Sequence, residues 1–317
     1  LLTSPANLAS RDITMDQLIV EGGHQLAGTI TPSGNKNAAQ PALIATLLTD
    51  DEVILRNVPD IRDIRTILEI LAEIGVNVTR LGPNEISIRA SGLQKTSLDP
   101  ALCKRVRGAF MFAGPLVARH GHATIPRPGG DRIGRRRIDA HIQALEAMGA
   151  EVATEHIYEL KAPAGLHGAD VFLDERSVTA TENALMAAVL AHGQTVIRNA
   201  ACEPHVQDLC RLLNKMGGQI AGVGTHELTV EGVSQLHGAD YTLGPDYMEV
   251  GSLIGLAAVT DSDVRIKDAA PQDMRRSLMV FSRLGVDVQI DGDDLLVASG
   301  QKLEIVPDIG DAIPKID

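Results

Sequence analysis

The chain has 317 residues, of which 44% are hydrophobic, so it can bury a sizeable core in about two domains. Its net charge of −12 argues against nonspecific binding of nucleic acid, and its mostly apolar runs fall short of the roughly 20 residues that a bilayer span needs. Its three cysteines match neither zinc nor disulfide spacing, which favours a reducing cytoplasm. We therefore expect a cytoplasmic globular protein with no membrane insertion, no nucleic-acid partner and no bound metal.

A unit of helix, strand, second helix and further strands recurs four times along the chain. Each second helix is predicted to end just before a glycine, because glycine enters the left-handed conformation of a helix C-cap without a Cβ penalty. Successive glycines of this kind are 74, 68 and 68 residues apart, which is too long for a solenoid repeat and indicates duplicated α/β subdomains. The four glycines are Gly75, Gly149, Gly217 and Gly285.

The strand before each second helix is also repeated, and the first helix of the unit is predicted to start 21 residues before the end of that strand. Lys36 and Arg107 lie near such starts in the first two units, where a cation is locally unfavourable unless an anion completes the site. In the third unit, Thr179 and Glu182 fit a capping box as well as they fit a binding site. The strand ends are Asn57, Arg127, Asn199 and Asp268, and the helix starts are Lys36, Val106, Val178 and Tyr247.

The most basic stretch of the chain runs from residue 104 to residue 137, where nine cations accompany one acid, Asp131. It contains the loop Pro128-Gly129-Gly130 and stands in an otherwise acidic chain. A solvated basic face is the alternative, but this setting favours an anion site. Because few aromatic residues interleave with the cations, a small phosphate-bearing ligand fits better than a nucleic-acid strand.

Two motifs carry a resemblance to a known family. Residues 31–42 read Thr-Pro-Ser-Gly-Asn-Lys-Asn-Ala-Ala-Gln-Pro-Ala, and residues 128–141 read Pro-Gly-Gly-Asp-Arg-Ile-Gly-Arg-Arg-Arg-Ile-Asp-Ala-His. Both are similar to signatures of the UDP-N-acetylglucosamine 1-carboxyvinyltransferase family of enolpyruvyl transferases. Further similarity at residues 199–204 and 244–249 extends the resemblance over essentially the whole chain.

The resemblance implies an α/β fold in which repeated β-α-β-α-β-β units form two domains, each an inside-out α/β barrel. Residues 35–244 are expected to form a complete three-unit domain that carries the catalytic loop. Residues 1–34 and 245–317 are expected to form a discontinuous second domain. Since the family has six units and this chain supplies four and the start of a fifth, we expect that second domain to be incomplete.

The resemblance also implies an activity, which is transfer of the enolpyruvyl group of phosphoenolpyruvate to the 3′-hydroxyl of UDP-N-acetylglucosamine. This reaction releases phosphate, needs no cofactor and is the first committed step of peptidoglycan synthesis. An acid protonates the methylene carbon, and the sugar hydroxyl attacks C2. Two alternatives stay open: a paralogue that acts on another acceptor, and a non-catalytic ligand-binding homologue. The oligomeric state is not predicted.

Site residues follow from the resemblance, position by position. Asp131 stands where most members have a cysteine and some have an aspartate, so it is the expected general acid. Its carboxylate implies resistance to fosfomycin, the epoxide that alkylates that cysteine. Lys36, Arg107 and Arg136 are expected to bind phosphoenolpyruvate, and Lys36 and Arg136 to be catalytic. Asn37 is expected to bind the sugar, and the family's general base lies beyond residue 317.

On the nucleotide side, the resemblance implies contacts from Asp139, Ser177 and Val178. Asp246 is expected to help shape the cleft between the domains. Three positions on the nucleotide side depart from the family's motifs, so the identity of the acceptor substrate stays open. They are Arg137 in place of a proline, Glu175 in place of a lysine and Thr179 in place of a glycine.

Overall fold

Helices and strands alternate along residues 19–130 and 137–307, which are the residues that the computed structural model describes. The α-helices are α1 (Lys36–Ala45), α2 (Arg62–Glu73), α3 (Pro100–Cys103), α4 (Ala113–His120), α5 (Asp139–Ala147), α6 (Val178–Ala188), α7 (Pro204–Lys215), α8 (Tyr247–Val259) and α9 (Arg275–Arg283). The strands are β1 (Ala27–Ile30), β2 (Glu52–Arg56), β3 (Asn77–Gly82), β4 (Glu85–Arg89), β5 (His122–Pro126), β6 (Glu151–Ala153), β7 (Ile157–Lys161), β8 (Asp170–Phe172), β9 (Gln194–Arg198), β10 (Gln219–Ala221), β11 (Glu227–Glu231), β12 (Ala239–Thr242), β13 (Asp263–Ile266), β14 (Gln289–Asp291) and β15 (Asp294–Val297).

Three small sheets are linked into a ring, because each unit receives a strand from the unit before it. Strand β8, from the end of the second unit, pairs in parallel with β9 of the third. Strand β12, from the end of the third unit, pairs in parallel with β2 of the first. Between the first and second units the link is a single parallel bridge from Ser97 to Thr124. The three sheet orders are β12-β2-β4-β3, β5-β7-β6 and β10-β11-β9-β8.

The first helices of the units lie at the centre of this ring. Eight of the ten residues of α1 and nine of the eleven residues of α6 are buried. Helix α4 approaches α6 closely, since a Cβ built on Gly114 would lie 2.5 Å from the backbone oxygen of Asn183. Helices α2 and α7 are amphipathic and turn their apolar faces toward the centre. Within the described ranges, no helix has the length and apolar character needed to cross a bilayer.

The fourth unit forms a separate sheet in the order β1-β13-β15-β14, in which β1 pairs in parallel with β13. Its small hydrophobic core, drawn from residues 250–297, is distinct from the core of residues 38–243. Helices lie inside and sheets outside, and no sheet of the described residues closes into a barrel by itself. The predicted fold class of repeated α/β units is confirmed.

The local repeat signals are confirmed in detail. The four C-cap glycines have φ values of 99°, 96°, 99° and 80°, and each follows its helix by two residues. Asn57 and Asn199 also adopt left-handed conformations, and their side-chain amides donate to Leu243 O and Leu173 O, which follow β12 and β8. The predicted helix starts match α1, α6 and α8. In the second unit, a 3₁₀ helix at Arg107–Phe112 precedes α4.

Two segments cross side by side between the ring and the fourth unit. The backbone N–H of Asn35 donates to Gly244 O at 3.0 Å, and that of Asp246 donates to Ser33 O at 2.8 Å. A Cβ on Gly34 would lie 1.7 Å from Asn57 O, so this position requires glycine. The predicted boundaries of the two domains fall at this crossing, and the division into domains stays a prediction.

Candidate active site

Two adjoining cavities lie at the N-terminal ends of α1 and α6. The smaller has a volume of about 170 Å³, and the larger of about 300 Å³. Arg107 and Thr179 line both, so the two spaces meet at these side chains. The smaller cavity is also lined by Lys36, Asn37, Gln40, Asp63, Arg105, Val106, Gly108 and Gly130. The larger is also lined by Phe110, Met111, Arg137, Ile138, His141, Glu175, Arg176, Ser177 and Val178.

Lys36 is the first residue of α1 and reaches the smaller cavity. Asn35 caps the helix, because its Oδ1 accepts hydrogen bonds from the backbone N–H groups of Asn37 and Ala38 at 2.7 and 3.1 Å. The Lys36 Nζ lies 2.7 Å from Asp63 Oδ2, and its side chain is 45% exposed. Asp63, in the first turn of α2, thus partly offsets a cation at a positive helix end. Sequence reasoning missed this partner.

The basic stretch does not form one patch in the residues that the structure describes. Arg105 pairs with Glu69, and Arg127 donates to Glu155 O at 3.0 Å. Arg119, in the last turn of α4, pairs with Asp50. The interpretation of the whole stretch as one anion site is therefore wrong for Arg119 and Arg127, whereas Arg105 also lines the smaller cavity. Arg107 and Arg137 are the described cations of the stretch that line the larger cavity.

Helix α6 is capped by Ser177, whose Oγ accepts from the backbone N–H of Ala180 at 3.3 Å. The capping box from Thr179 to Glu182 is therefore wrong, since both residues lie inside the helix. Glu182 is fully buried, and its Oε1 has no hydrogen-bond partner among the described residues. Burial, with a smaller contribution from nearby Glu203, raises the pKa of its carboxyl well above the ordinary value.

A buried hydrogen-bond relay ends at Thr179. The backbone N–H of Gly114 donates to Asn183 Oδ1 at 2.8 Å, so the Asn183 amide nitrogen faces His141 Nδ1 at 3.1 Å. His141 Nε2 lies 3.1 Å from Thr179 Oγ1. Burial, and to a smaller extent the charge of Arg107, lowers the pKa of His141 to about 3. The imidazole is therefore neutral near pH 7, accepts at Nδ1 and donates from Nε2.

The outer wall of the larger cavity is strongly charged. Arg137 pairs with Asp139 and Asp174 at 2.8 and 2.9 Å, and these carboxylates raise the pKa of its guanidinium. The Arg176 Nε lies 3.4 Å from Asn199 Oδ1. Together with Arg107, these arginines outnumber the acids that line the cavity. An anion with more than one negative charge suits such a wall.

The structure brings five of the predicted site residues together around the two cavities. Lys36, Asn37 and Arg107 line the smaller cavity. Ser177 and Val178 line the larger one, at the start of α6. Their roles in binding the two substrates stay predictions.

Two predicted residues lie outside the cavity walls. Asp139 approaches the larger cavity through its ion pair with Arg137. Asp246 instead caps α8, accepting from the backbone N–H groups of Met248 and Glu249 at 2.9 and 3.3 Å. Within the described residues, no cluster of three or more His, Cys, Asp or Glu side chains could hold a metal ion. The predicted catalytic residues Asp131 and Arg136 lie outside the described ranges.

Comparisons with known proteins agree with this geometry. Residues 20–317 match the family model of EPSP synthase (3-phosphoshikimate 1-carboxyvinyltransferase). The chain is 51% identical over 301 residues to the UDP-N-acetylglucosamine 1-carboxyvinyltransferase of Bradyrhizobium diazoefficiens, covering 95% of this chain and 70% of that protein. It is 46% identical over 303 residues to the enzyme of the same name from Treponema denticola, covering 96% and 71%.

Solved structures show the same fold. The enolpyruvyl transferase NikO from Streptomyces tendae superposes with a TM-score of 0.76 at 22% identity, covering 87% of this chain and 66% of that chain. EPSP synthase from Acinetobacter baumannii superposes with a TM-score of 0.74 at 17% identity, covering 91% and 68%. On its repeated fold, its motifs and these relatives, the chain belongs to the UDP-N-acetylglucosamine 1-carboxyvinyltransferase family of enolpyruvyl transferases.

Proposed function

We propose that this protein transfers the enolpyruvyl group of phosphoenolpyruvate to the 3′-hydroxyl of UDP-N-acetylglucosamine and releases phosphate. The observation that carries the proposal is the pair of cavities that meet at Arg107 and Thr179. One cavity offers cations for a small anion, and the other offers arginines beside a helix N-terminus for a nucleotide. The name shared by relatives at 46–51% identity supports the same reaction.

The smaller cavity suits phosphoenolpyruvate. The carboxylate and phosphate of phosphoenolpyruvate accept hydrogen bonds and carry negative charge. Lys36 and Arg107 supply charged donors at the wall of this cavity. Asp63 holds the Lys36 ammonium at the cavity wall. Arg136, by resemblance, adds a further guanidinium. Such groups stabilise the charge that moves onto the departing phosphate.

The larger cavity suits the nucleotide half of UDP-N-acetylglucosamine. The start of α6, capped by Ser177, presents unpaired N–H groups and a positive partial charge, which favour a diphosphate. Arg137 and Arg176 stand on the same wall. Asn37, next to Lys36, lines the smaller cavity, which supports its proposed contact with the sugar near the reacting centre.

The chemistry has two balanced steps. In the first, Asp131 gives its proton to the methylene carbon C3, and the sugar 3′-oxygen bonds to C2 as its own proton passes to a base. In the second, the bond from C2 to the phosphate oxygen breaks, phosphate leaves with the bonding pair, and C3 returns a proton to the Asp131 carboxylate. The products are the enolpyruvyl ether of the nucleotide sugar and phosphate. For this step the Asp131 carboxyl must hold its proton until the substrates are bound, and nearby ligand phosphates would favour the protonated form.

This reaction would place the protein in the cytoplasm, at the committed step of peptidoglycan synthesis and hence of cell-wall and cell-shape maintenance. Asp131, at the position of the family's cysteine, would also make the protein resistant to fosfomycin, because a carboxylate is a far weaker nucleophile toward an epoxide than a thiolate. Both statements rest on the proposed activity.

The role of Asp131 can be tested with two substitutions in the full-length protein. Asp131→Asn should abolish turnover, because an amide cannot donate the proton, whereas Asp131→Cys should stay active and become sensitive to fosfomycin. Turnover is measured as phosphate release, and modification as adduct mass on the peptide that contains residue 131. Inactivation of the unaltered protein by fosfomycin, with an adduct on that peptide, would contradict the assignment.

A further inference from the structure

Thr179 occupies the point where the two cavities meet. It is the second residue of α6, directly after the first-turn residue Val178, and it lines both spaces. Arg107 is the other residue common to both linings. A molecule that spans the cavities would therefore lie against both Thr179 and Arg107.

The relay behind Thr179 fixes what its hydroxyl can do. A backbone N–H can only donate, so the bond from Gly114 identifies Asn183 Oδ1 as the acceptor and turns the amide nitrogen toward His141 Nδ1. His141 Nδ1 must then accept, and the proton of the neutral ring sits on Nε2. That proton is donated to Thr179 Oγ1 at 3.1 Å.

This arrangement occupies one of the two acceptor lone pairs of the Thr179 hydroxyl and leaves its own proton to be donated. Across residues 19–130 and 137–307, His141 is the one side chain that shares a hydrogen bond with this hydroxyl. His141 is buried, and the edge-to-face ring of Phe110, 5.1 Å away, restrains its imidazole. The donor direction is therefore set from inside the core and not by solvent.

We propose that Thr179 is a specificity-determining residue that donates its hydroxyl proton to a phosphate oxygen of the nucleoside diphosphate sugar. Its setting favours a negative acceptor over a neutral sugar hydroxyl, because it lies at the N-terminus of α6, opposite Arg107 and beside a wall with Arg137 and Arg176. His141 and Asn183 act through Thr179 as positioning residues. The inference deepens the proposed function and rests on it.

The test is calorimetric binding of UDP and of UDP-N-acetylglucosamine to the full-length protein. Thr179→Val keeps the shape and removes the hydroxyl, whereas Thr179→Ser keeps the hydroxyl. A hydrogen bond to a charged group contributes about 1.5–3 kcal/mol, so Thr179→Val should raise both Kd values by roughly tenfold to a hundredfold. Thr179→Ser should stay within about threefold of the unaltered protein.

Steady-state kinetics supply a second readout. Thr179→Val should raise KM for UDP-N-acetylglucosamine and leave KM for phosphoenolpyruvate unchanged. Thr229→Val, on strand β11 and outside both cavity linings, is the matched control and should change neither. A change in KM for phosphoenolpyruvate alone would overturn the inference.

The outcomes separate this inference from the proposed function. If the unaltered protein binds neither UDP nor UDP-N-acetylglucosamine, the proposed function fails. If it binds both and Thr179→Val binds them equally well, the inference about Thr179 fails. If Thr179→Val lost affinity for UDP-N-acetylglucosamine but not for UDP, the hydrogen bond from Thr179 would be accepted by the sugar. That result would also overturn the inference about Thr179.

Discussion

Helices α6 and α8 hold the same place in their units and have opposite environments. Nine of the eleven residues of α6 are buried, but only three of the thirteen residues of α8, although α8 is at least as apolar. Leu256 and Val259 of α8 are 45% and 75% exposed, whereas Ala187, which corresponds to Leu256, is fully buried. The burial of a unit's first helix is therefore supplied by neighbouring units and not by its own sequence.

The difference follows from the ring. Helix α6 packs against α4, α5 and α7, which come from two units, whereas α8 packs mainly on its own sheet. An apolar cavity of about 170 Å³ remains between β1 and α8, lined in part by Leu26, Ile30, Leu253 and Leu256. The chain spans about 70% of the length of the curated relatives it matches. We expect the segment of those relatives that this chain does not match to cover such a face.

The largest contrast should come from one charge placed at corresponding positions. Ala187→Asp would bury an unpaired carboxylate at the centre of the ring, so it should cost more than about 4 kcal/mol and prevent stable folding. Leu256→Asp should cost only about 1–2 kcal/mol, because its side chain lines the apolar cavity beside β1 but is 45% exposed, so the carboxylate can reach water. Urea denaturation followed by circular dichroism measures both. Equal destabilisation by the two substitutions would break the comparison.

Two glycines give a second, smaller contrast. A Cβ on Gly114 would lie 2.5 Å from Asn183 O and Oδ1, so Gly114→Ala should destabilise the ring by about 1–3 kcal/mol. A Cβ on Gly251 in α8 would meet no atom within 4 Å, and alanine is the better helix former. Gly251→Ala should therefore stabilise the chain by about 0.5–1 kcal/mol, which urea denaturation can measure. Stabilisation by Gly114→Ala would show that α4 and α6 do not pack this closely.

A third contrast concerns the response to acid. Because His141 has its pKa lowered from 6.5 to about 3 in the folded state, the folded protein binds this proton less readily than the unfolded chain. Its contribution to stability is complete above pH 6.5 and declines as pH falls toward 3, by about 1.4 kcal/mol per pH unit. Buried Glu182, whose pKa is raised, contributes a slope of opposite sign, and His205 and His120, whose pKa values are lowered by burial, contribute slopes of the same sign as that of His141. The difference in slope between the unaltered protein and His141→Gln therefore measures the contribution of His141.

The acid effect should also be confined to the ring, since the sequence has no histidine between residues 247 and 307. Between pH 6.5 and 4, the protection factors of amide hydrogen exchange should fall more in α5 and α6 than in α8. A slope that is the same in His141→Gln as in the unaltered protein would assign the acid sensitivity to other groups.

Much of the fold was predictable because its signals are local. A left-handed glycine after a helix is a conformation of a single residue, and it recurs at Gly217 as the repeat predicted. Asn199 was predicted only as the end of a repeated strand, and its left-handed conformation was not predicted. The starts of α1 and α6 followed from the same spacing. The predicted capping box at Thr179 was wrong because Ser177, two residues earlier, caps α6, and only the backbone geometry of the helix shows this.

The candidate site was predictable only in part, because its partners come from different units. The positions of Lys36 and Arg107 followed from the motif and the repeat. The pairing of Lys36 with Asp63 and the relay from Asn183 to Thr179 depend on how helices pack across units. The basic stretch was misinterpreted as one patch because sequence proximity does not place Arg119 and Arg107 at the same end of α4.

The most direct test of the central claim is phosphate release by the full-length protein supplied with phosphoenolpyruvate and UDP-N-acetylglucosamine. We expect release only when both are present, with a nucleotide product heavier by one enolpyruvyl group. Lys36→Ala should lower turnover by roughly a hundredfold, or about 3 kcal/mol, whereas Lys95→Ala, at an exposed lysine paired with Glu73, should not. Phosphate release with shikimate 3-phosphate in place of the nucleotide sugar, or normal turnover in Lys36→Ala, would contradict the account.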